Sequence, residues 1–401
     1  MLLELRAGDP FKYANLSETL AKKAESERDW LTAREYWEIA SKWHKKNGDD
    51  ENKNKCLSMY AETYVKASME VVSTENPSFF KAAYYIQSAI EAYRRVKDTK
   101  EKRTQLYQLL LEYQEKSVDE LKTISVKTEV DLSDQQEKIR SIIMGTESPE
   151  DAILKLATIM HVPKKTDIRN EVKDLFQRFP MKYLATGVIV NDKGKVVKKK
   201  PSLLSKDKDD VQAAEILEMH SCASLRRQFL ALGILEPARR QMLLKYRFKL
   251  EHFLTFLKEN PFIPYGRELI YAKGFLAGLH GNFLVSTHLL IPQIEESIRY
   301  LLCKEGIIVS NLKADWTQDE YSLNKLLKVK KLEEILGEDI VFHLEGLLIE
   351  KSSINLRNLM AHGLMNYSEF NTPENLNLWW IILKLCCLFK KATWQSSRER
   401  D

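Results

Sequence analysis

The chain has 401 residues, 44% hydrophobic and 30% charged, an ordinary globular balance with length enough for two or three cores. Its 62 basic and 57 acidic side chains are interleaved and leave a net charge of only +5, so bulk charge gives no reason to expect a nucleic-acid binder. Only local patches could provide one.

The start, Met1-Leu2-Leu3-Glu4-Leu5-Arg6, is too short and too charged to read as a signal peptide. The most apolar run, Leu378 to Phe389, spans 12 residues and contains Lys384. A membrane helix needs about 20 apolar residues. Five cysteines occur (Cys56, Cys222, Cys303, Cys386 and Cys387), without a CxxC pair and four of them within apolar helical patterns. They predict buried thiols in a reducing compartment, and neither a disulfide framework nor a zinc site. The expectation is a cytoplasmic protein with no membrane association.

Residues 1 to about 125 read as consecutive amphipathic helices. Ala33, Trp37 and Ala40 share one helical stripe, and Ala82, Tyr85 and Ala89 share another after Pro77-Ser78-Phe79-Phe80. The two segments align at an offset of about 49 residues, as in stacked helical hairpins. The region is helical-repeat-like, and an ordinary helical bundle fits it equally. Trp30, Trp37 and Trp43 read as core rather than as a base-stacking platform.

Residues 126–208 form a middle region. Helices are expected from Pro149 to about Met160 and from Asp167 to Phe176. Two β-branched runs, Tyr183 to Val190 and Lys195 to Val197, flank Asn191-Asp192-Lys193-Gly194 and predict a β-hairpin, the only strand signal read from the sequence. Its return arm continues into Lys198, Lys199 and Lys200. Such a run can meet phosphates, or it can be a solvated edge that discourages strand pairing.

From 209 to 401 the pattern is helical. Two long helices are expected, Val211 to Leu232 and Pro237 to Lys258, then a break at Asn260-Pro261-Phe262-Ile263-Pro264. Further helices are expected at Gly266–His280, Asn282–Glu305, Ser322–Leu336, Asp339–Glu350, Asn355–Met365 and Pro373–Thr393. Gly274 and Gly278 predict a close helix–helix approach. The chain is therefore expected to be all-α apart from one hairpin.

No P-loop, GxGxxG, HExxH, GxSxG or carboxylate-rich metal pattern is present, so neither cofactor nor metal is expected. Arg357 and His362 stand five apart in Arg357-Asn358-Leu359-Met360-Ala361-His362-Gly363. The spacing alone is weak, since Arg247 and His252 repeat it on what reads as a solvated helix face. The Arg357 copy lies between apolar helices, where burying an arginine, an asparagine and a histidine costs several kcal/mol unless they find partners. Either a functional site or a buried polar network, with Arg357 on a carboxylate such as Glu295 and His362 at a helix end, accounts for it.

Together with Asn260 to Glu268, His288 to Glu295 and Leu378-Trp379-Trp380, this stretch resembles a bacterial domain-of-unknown-function family with the signature RNxxxHG. Its domain also occurs in the endoplasmic-reticulum membrane-associated RNA degradation protein of animals. The resemblance covers roughly residues 175 to 393, with a domain core at about 262–393. That family is similar to the HEPN superfamily, whose active members cleave RNA through an Rx4–6H motif. The resemblance implies a metal-independent endoribonuclease in which the 2′-hydroxyl attacks phosphorus. His362 would move protons, Arg357 would hold the phosphoryl oxygens, and Asn358 would orient the histidine or bind phosphate. Glu295 and Arg299, at i and i+4, would support Arg357. It further implies RNA as partner, a homodimer with a composite cleft, and a toxin or anti-phage effector regulated through the N-terminal helices, with a protein partner there. Some HEPN domains are structural or serve as partners of nucleotidyltransferases, so a non-catalytic adaptor stands as the alternative. A ribonuclease needs Arg357 and His362 open to solvent; an adaptor needs both buried and paired within one protomer.

Overall fold

The computed structural model describes residues 8–120, 130–183, 186–191, 193–203 and 205–398, with side chains through residue 391. Helix accounts for 71% and strand for 4%, so the chain belongs to the all-α class. Contacts divide it into two units: Met1–Lys127 with Val190–Val197, and Thr128–Ile189 with Lys198–Asp401.

The first unit contains α1 (Pro10–Ser26), α2 (Trp30–Lys46), α3 (Asp50–Val72), α4 (Phe79–Tyr93) and α5 (Lys100–Ser117). Asp9, Asp29, Asp49 and Ser78 cap the first four, each side chain accepting a first-turn N–H that the helix leaves without a partner. The buried stripes are rich in alanine: Ala14, Ala21 and Ala24 on α1, Ala33 and Ala40 on α2, Ala82 and Ala89 on α4. Small residues let the backbones approach while Trp37, Trp43 and Ile86 fill the gaps. Each helix packs chiefly on its neighbours in sequence, the one-dimensional order of helical hairpins. The two segments aligned at the 49-residue offset are α2 and α4.

The second unit begins with α6 (Ser133–Met144), α7 (Pro149–Thr158) and α8 (Lys165–Arg178). After α8, β1 (Gly187–Val190) pairs with β2 (Val196–Lys200) around the expected turn, whose residues Val190–Val197 are counted with the first unit. Asp192 of that turn lies outside the described residues. There follow α9 (Lys208–Leu230), α10 (Glu236–Lys245), α11 (Leu250–Leu257), α12 (Glu268–Leu279) and α13 (Phe283–Lys304). A second antiparallel hairpin, β3 (Ser310–Leu312) and β4 (Gln318–Glu320), precedes α14 (Leu323–Leu326), α15 (Lys330–Leu336), α16 (Glu338–Leu348), α17 (Leu356–Ala361) and α18 (Pro373–Arg398).

Several expectations need correction. The break expected between Leu232 and Pro237 is a π-helical turn, Ala231–Leu235, that joins α9 to α10. Its wider i→i+5 pattern accommodates a proline that has no N–H to give. The helix expected over Pro237–Lys258 is instead cut at Tyr246, where the chain turns extended and sends Phe248 into the core. α6 was not expected, because it buries only Ile139 and Ile143, too short a stripe to stand out among its polar residues. The β3–β4 hairpin gives no period-2 signal either, because its strands are short, polar and mostly exposed.

The core of this unit is organised around α18. Trp379 Nε1 donates to the Phe275 carbonyl at 3.1 Å, and Trp380 Nε1 to the Leu156 carbonyl at 2.9 Å. Lys384, which interrupts the apolar run, buries its stem and caps α7 by donating to the Ala157 and Met160 carbonyls at 3.2 and 3.0 Å. The two glycines do bring helices close: a Cβ on Gly278 would stand 2.3 Å from Trp379 Cδ1, and one on Gly274 2.7 Å from Leu290. Cys386 and Cys387 lie in this core and Cys56 in that of the first unit, whereas Cys222 is half-buried and Cys303 exposed, so the expected burial holds for three of the five thiols. Among the described residues no helix is long and apolar enough to cross a membrane.

Candidate functional site

The RNxxxHG segment folds as the six-residue α17 with both ends fixed. At its entry Asn355 adopts the left-handed conformation (φ 55°), which asparagine tolerates better than most residues. At its exit Leu364 N–H bonds to the Leu359 carbonyl at 2.9 Å and Gly363 N–H to the Met360 carbonyl at 3.0 Å. This 6→1, 5→2 pair with Gly363 at φ 62° is a Schellman end, and it leaves His362 as the C-cap. A Cβ at Gly363 would meet nothing within 4 Å, so its cost is conformational alone. Gly363→Ala is expected to cost about 1 kcal/mol in urea unfolding, and Gly363→Asn less. Equal effects of the two would contradict this reading of the turn.

Arg357 projects from α17 toward α13, where its Nε donates to Glu295 Oε2 at 3.4 Å. Its Nη1 donates to Asn358 Oδ1 at 3.1 Å, and Asn358 Nδ2 donates to Asn355 Oδ1 at 2.7 Å. Glu295 also accepts the Leu323 N–H at 3.1 Å. Arg299 does not reach Arg357. It lies 3.7 Å from Glu295, pairs with Glu296 and Glu320, and donates to the Tyr321 carbonyl at 3.1 Å. It thus supports the carboxylate that supports Arg357.

The burial-cost argument for this segment does not hold, because the segment lies at the surface. The Arg357 side chain retains 29% of its accessibility, and Nη2 has no partner among the described residues. His362 is exposed and makes no side-chain hydrogen bond or ion pair among the described residues. Five residues of helix turn it roughly 140° from Arg357 around the axis. Leu364 and Tyr367, just beyond, are 60% and 73% exposed.

The lysine run is largely turned toward carboxylates of the same unit. Lys198 donates to Glu350 at 2.5 Å and Lys200 to Glu218 at 3.2 Å, so of the three only Lys199 is exposed. The second Arg–His spacing is also not a mid-helix face. Arg247 lies in the extended link before α11, and His252 Nδ1 accepts the Lys249 N–H at 3.2 Å.

A second polar cluster was not anticipated from the sequence. Arg227 on α9 is 1% exposed, and its Nη1 donates to His343 Nδ1 at 3.1 Å. His343 Nε2–H in turn donates to the Pro163 carbonyl at 2.9 Å, and these two bonds set the tautomer. His220 stacks on Phe342 with centroids 4.5 Å apart, in space that Gly346 leaves open: a Cβ there would come 2.8 Å from His220 Nδ1. Arg227 Nη2 also reaches Ser353 at 3.5 Å, while Glu350 accepts from Ser352 N–H and hydroxyl at 2.9 and 2.7 Å. The cluster therefore braces the loop that leads into Asn355. Its signal was available: His220, Ala223 and Arg227 follow helical spacing on the buried stripe of α9, where polar residues are costly.

Burial, reinforced by the Arg227 charge, pushes His343 down to about 3, and burial lowers His220 to about 4. Burial would raise the Glu350 carboxyl, but Lys198 and the Ser352 donors outweigh it and hold it at about 2. Both histidines are neutral when folded and regain an ordinary value near 6.5 on unfolding, so their contribution is complete above that pH. As pH falls from 6.5 toward 4, the unfolded state alone takes up protons, and each histidine withdraws up to about 1.4 kcal/mol per pH unit. Urea midpoints of the wild type are expected to drop steeply over that range. His343→Gln should flatten the drop, and an unchanged slope would remove His343 from this account.

No protein-family model, curated protein or solved structure matches the chain.

Proposed function

We propose that the chain is a metal-independent endoribonuclease of HEPN type with its site on α17. The observation that carries this reading is the pairing of an anchored arginine, still offering guanidinium N–H groups, with an exposed histidine that has no partner among the described residues, on one helix fixed at both ends. The resemblance to the RNxxxHG family supplies the reaction class. In this reading the 2′-oxygen forms a bond to phosphorus as the bond to the 5′-oxygen breaks, leaving a 2′,3′-cyclic phosphate and a 5′-hydroxyl. The 2′-hydroxyl proton goes to a base and the leaving 5′-oxygen takes a proton from an acid. One histidine cannot do both in a single step, and Arg357 and His362 point to different sides of α17. A second copy would supply the other histidine and place one copy's arginine across from its partner's base. A homodimer joined around α17, with exposed Leu364 and Tyr367 at the seam, fits both needs.

The adaptor reading draws support from the Asn355–Asn358–Arg357–Glu295 chain of bonds, which orders the surface on its own. It gives no role to His362, which stands exposed and outside that chain of bonds. A toxin or anti-phage role, with the first unit as sensor or docking platform for a regulatory protein, follows from the resemblance.

The test is incubation of labelled total RNA with the purified full chain in EDTA, beside Arg357→Ala and His362→Ala. Cleavage by the wild type alone supports the ribonuclease. Equal cleavage by all three, or by none, favours the adaptor.

A further inference from the structure

In the first unit three side chains distant in sequence converge. Glu18 of α1, His44 of α2 and Cys56 of α3 each offer a ligand atom, and these atoms lie within 4.8 Å of one another. His44 Nε2 is 2.8 Å from Glu18 Oε1, and Cys56 Sγ is 3.7 Å from the same oxygen. His44 and Cys56 are buried and Glu18 is half-buried, so a water could reach the cluster from its side.

The histidine presents a problem that a cation would solve. Its Nδ1 faces Asp49 Oδ2 at 3.5 Å while Nε2 faces Glu18, and a neutral imidazole has one N–H for two carboxylates. Nε2 is in hydrogen-bond contact with Glu18, whereas Nδ1 is buried and makes no hydrogen bond among the described residues. A metal ion taken up between Nε2 and Glu18, with the two atoms moving apart from their 2.8 Å contact, would leave the N–H on Nδ1 to turn to Asp49 as the outer carboxylate that orients a ligating histidine. One sulfur, one imidazole nitrogen and one carboxylate oxygen match a borderline-soft ion that takes four ligands in a tetrahedron, with water in the fourth position.

We propose that Glu18, His44 and Cys56 bind one zinc ion, which staples α1, α2 and α3 together. Burial, then the Glu18 carboxylate, push the Cys56 thiol up to about 12, so without the ion the sulfur carries a proton, which binding releases to solvent. The absence of a CxxC pattern hides such a site from the sequence, because each ligand comes from a different helix. The inference is independent of the reading of α17.

The full chain, stripped by dialysis against a chelator, is titrated with Co²⁺ as an optical probe. The expected result is a thiolate-to-cobalt charge-transfer band that saturates at one ion per chain and is displaced by Zn²⁺, which also raises the melting temperature. Cys56→Ser should abolish the band. His44→Gln and Glu18→Gln should each weaken binding about tenfold or more. No band in the wild type overturns the site. A band that survives in Cys56→Ser overturns it too, since another thiol such as exposed Cys303 then binds the ion. Should Cys56→Ser fail to fold, unchanged binding by Glu18→Gln, a half-exposed position, overturns the site equally.

Discussion

His362→Ala is expected to lower RNA cleavage by about 10² to 10⁴-fold, the usual loss when a proton-transfer group is removed. On the ribonuclease reading Arg357→Ala should lose a comparable factor, because it would remove the fixed cation proposed to face the phosphoryl oxygens. Arg357→Lys should recover little: one ammonium cannot hold Glu295 and Asn358 and also present a planar fork to phosphate. Folding should scarcely change for His362→Ala, since the side chain is exposed and makes no side-chain bond among the described residues. Arg357→Ala leaves Glu295 with the Leu323 N–H and Arg299, so no carboxylate is stranded. Cleavage assays run beside urea unfolding separate the two roles. If either substitution lowers stability by several kcal/mol while cleavage per folded molecule is unchanged, the segment is structural.

Trp380→Ala should have the largest effect on stability, about 3–5 kcal/mol out of a total of about 5–15. The side chain is 1% exposed and lies where α18 meets α7, and its indole N–H satisfies the Leu156 carbonyl. Truncation opens a cavity and leaves a buried acceptor without its donor. Trp380→Phe keeps most of the volume and should cost less than half as much. Circular dichroism and urea midpoints at pH 7.5 read both variants. A loss under about 1 kcal/mol for the alanine would mean that α18 does not organise this core.

The helical class was legible in the stripe of Ala33, Trp37 and Ala40, all buried on α2, because periodicity reports which face is buried. What periodicity cannot report is an interruption made by tertiary contacts. Tyr246 leaves the helix to donate from its hydroxyl to the Thr146 carbonyl, 100 residues away, and nothing near it in sequence signals the break. The candidate site was legible as a motif, and Glu295 was correctly singled out as a carboxylate for Arg357, since Glu295 and Arg299 share one face of α13. Its exposure was misjudged. Apolar neighbours in sequence suggested burial, whereas α17 is a short helix whose Leu356 alone is buried. The inward turn of Lys198 and Lys200 was equally hidden, because their carboxylate partners sit on α9 and just beyond α16.

The measurement that bears most directly on the central claim is the chemistry of the cleaved ends. Full-length protein is incubated with a 5′-labelled single-stranded RNA in EDTA, and the products are treated with acid and with phosphatase. EDTA would also strip an ion held at Glu18, His44 and Cys56, so the melting transition of the chelated protein is checked before RNA is added. The account predicts fragments with a 2′,3′-cyclic phosphate, which resist phosphatase until acid opens the ring, and none from His362→Ala. Fragments with a free 3′-hydroxyl, or cyclic-phosphate fragments formed equally by His362→Ala, would contradict it.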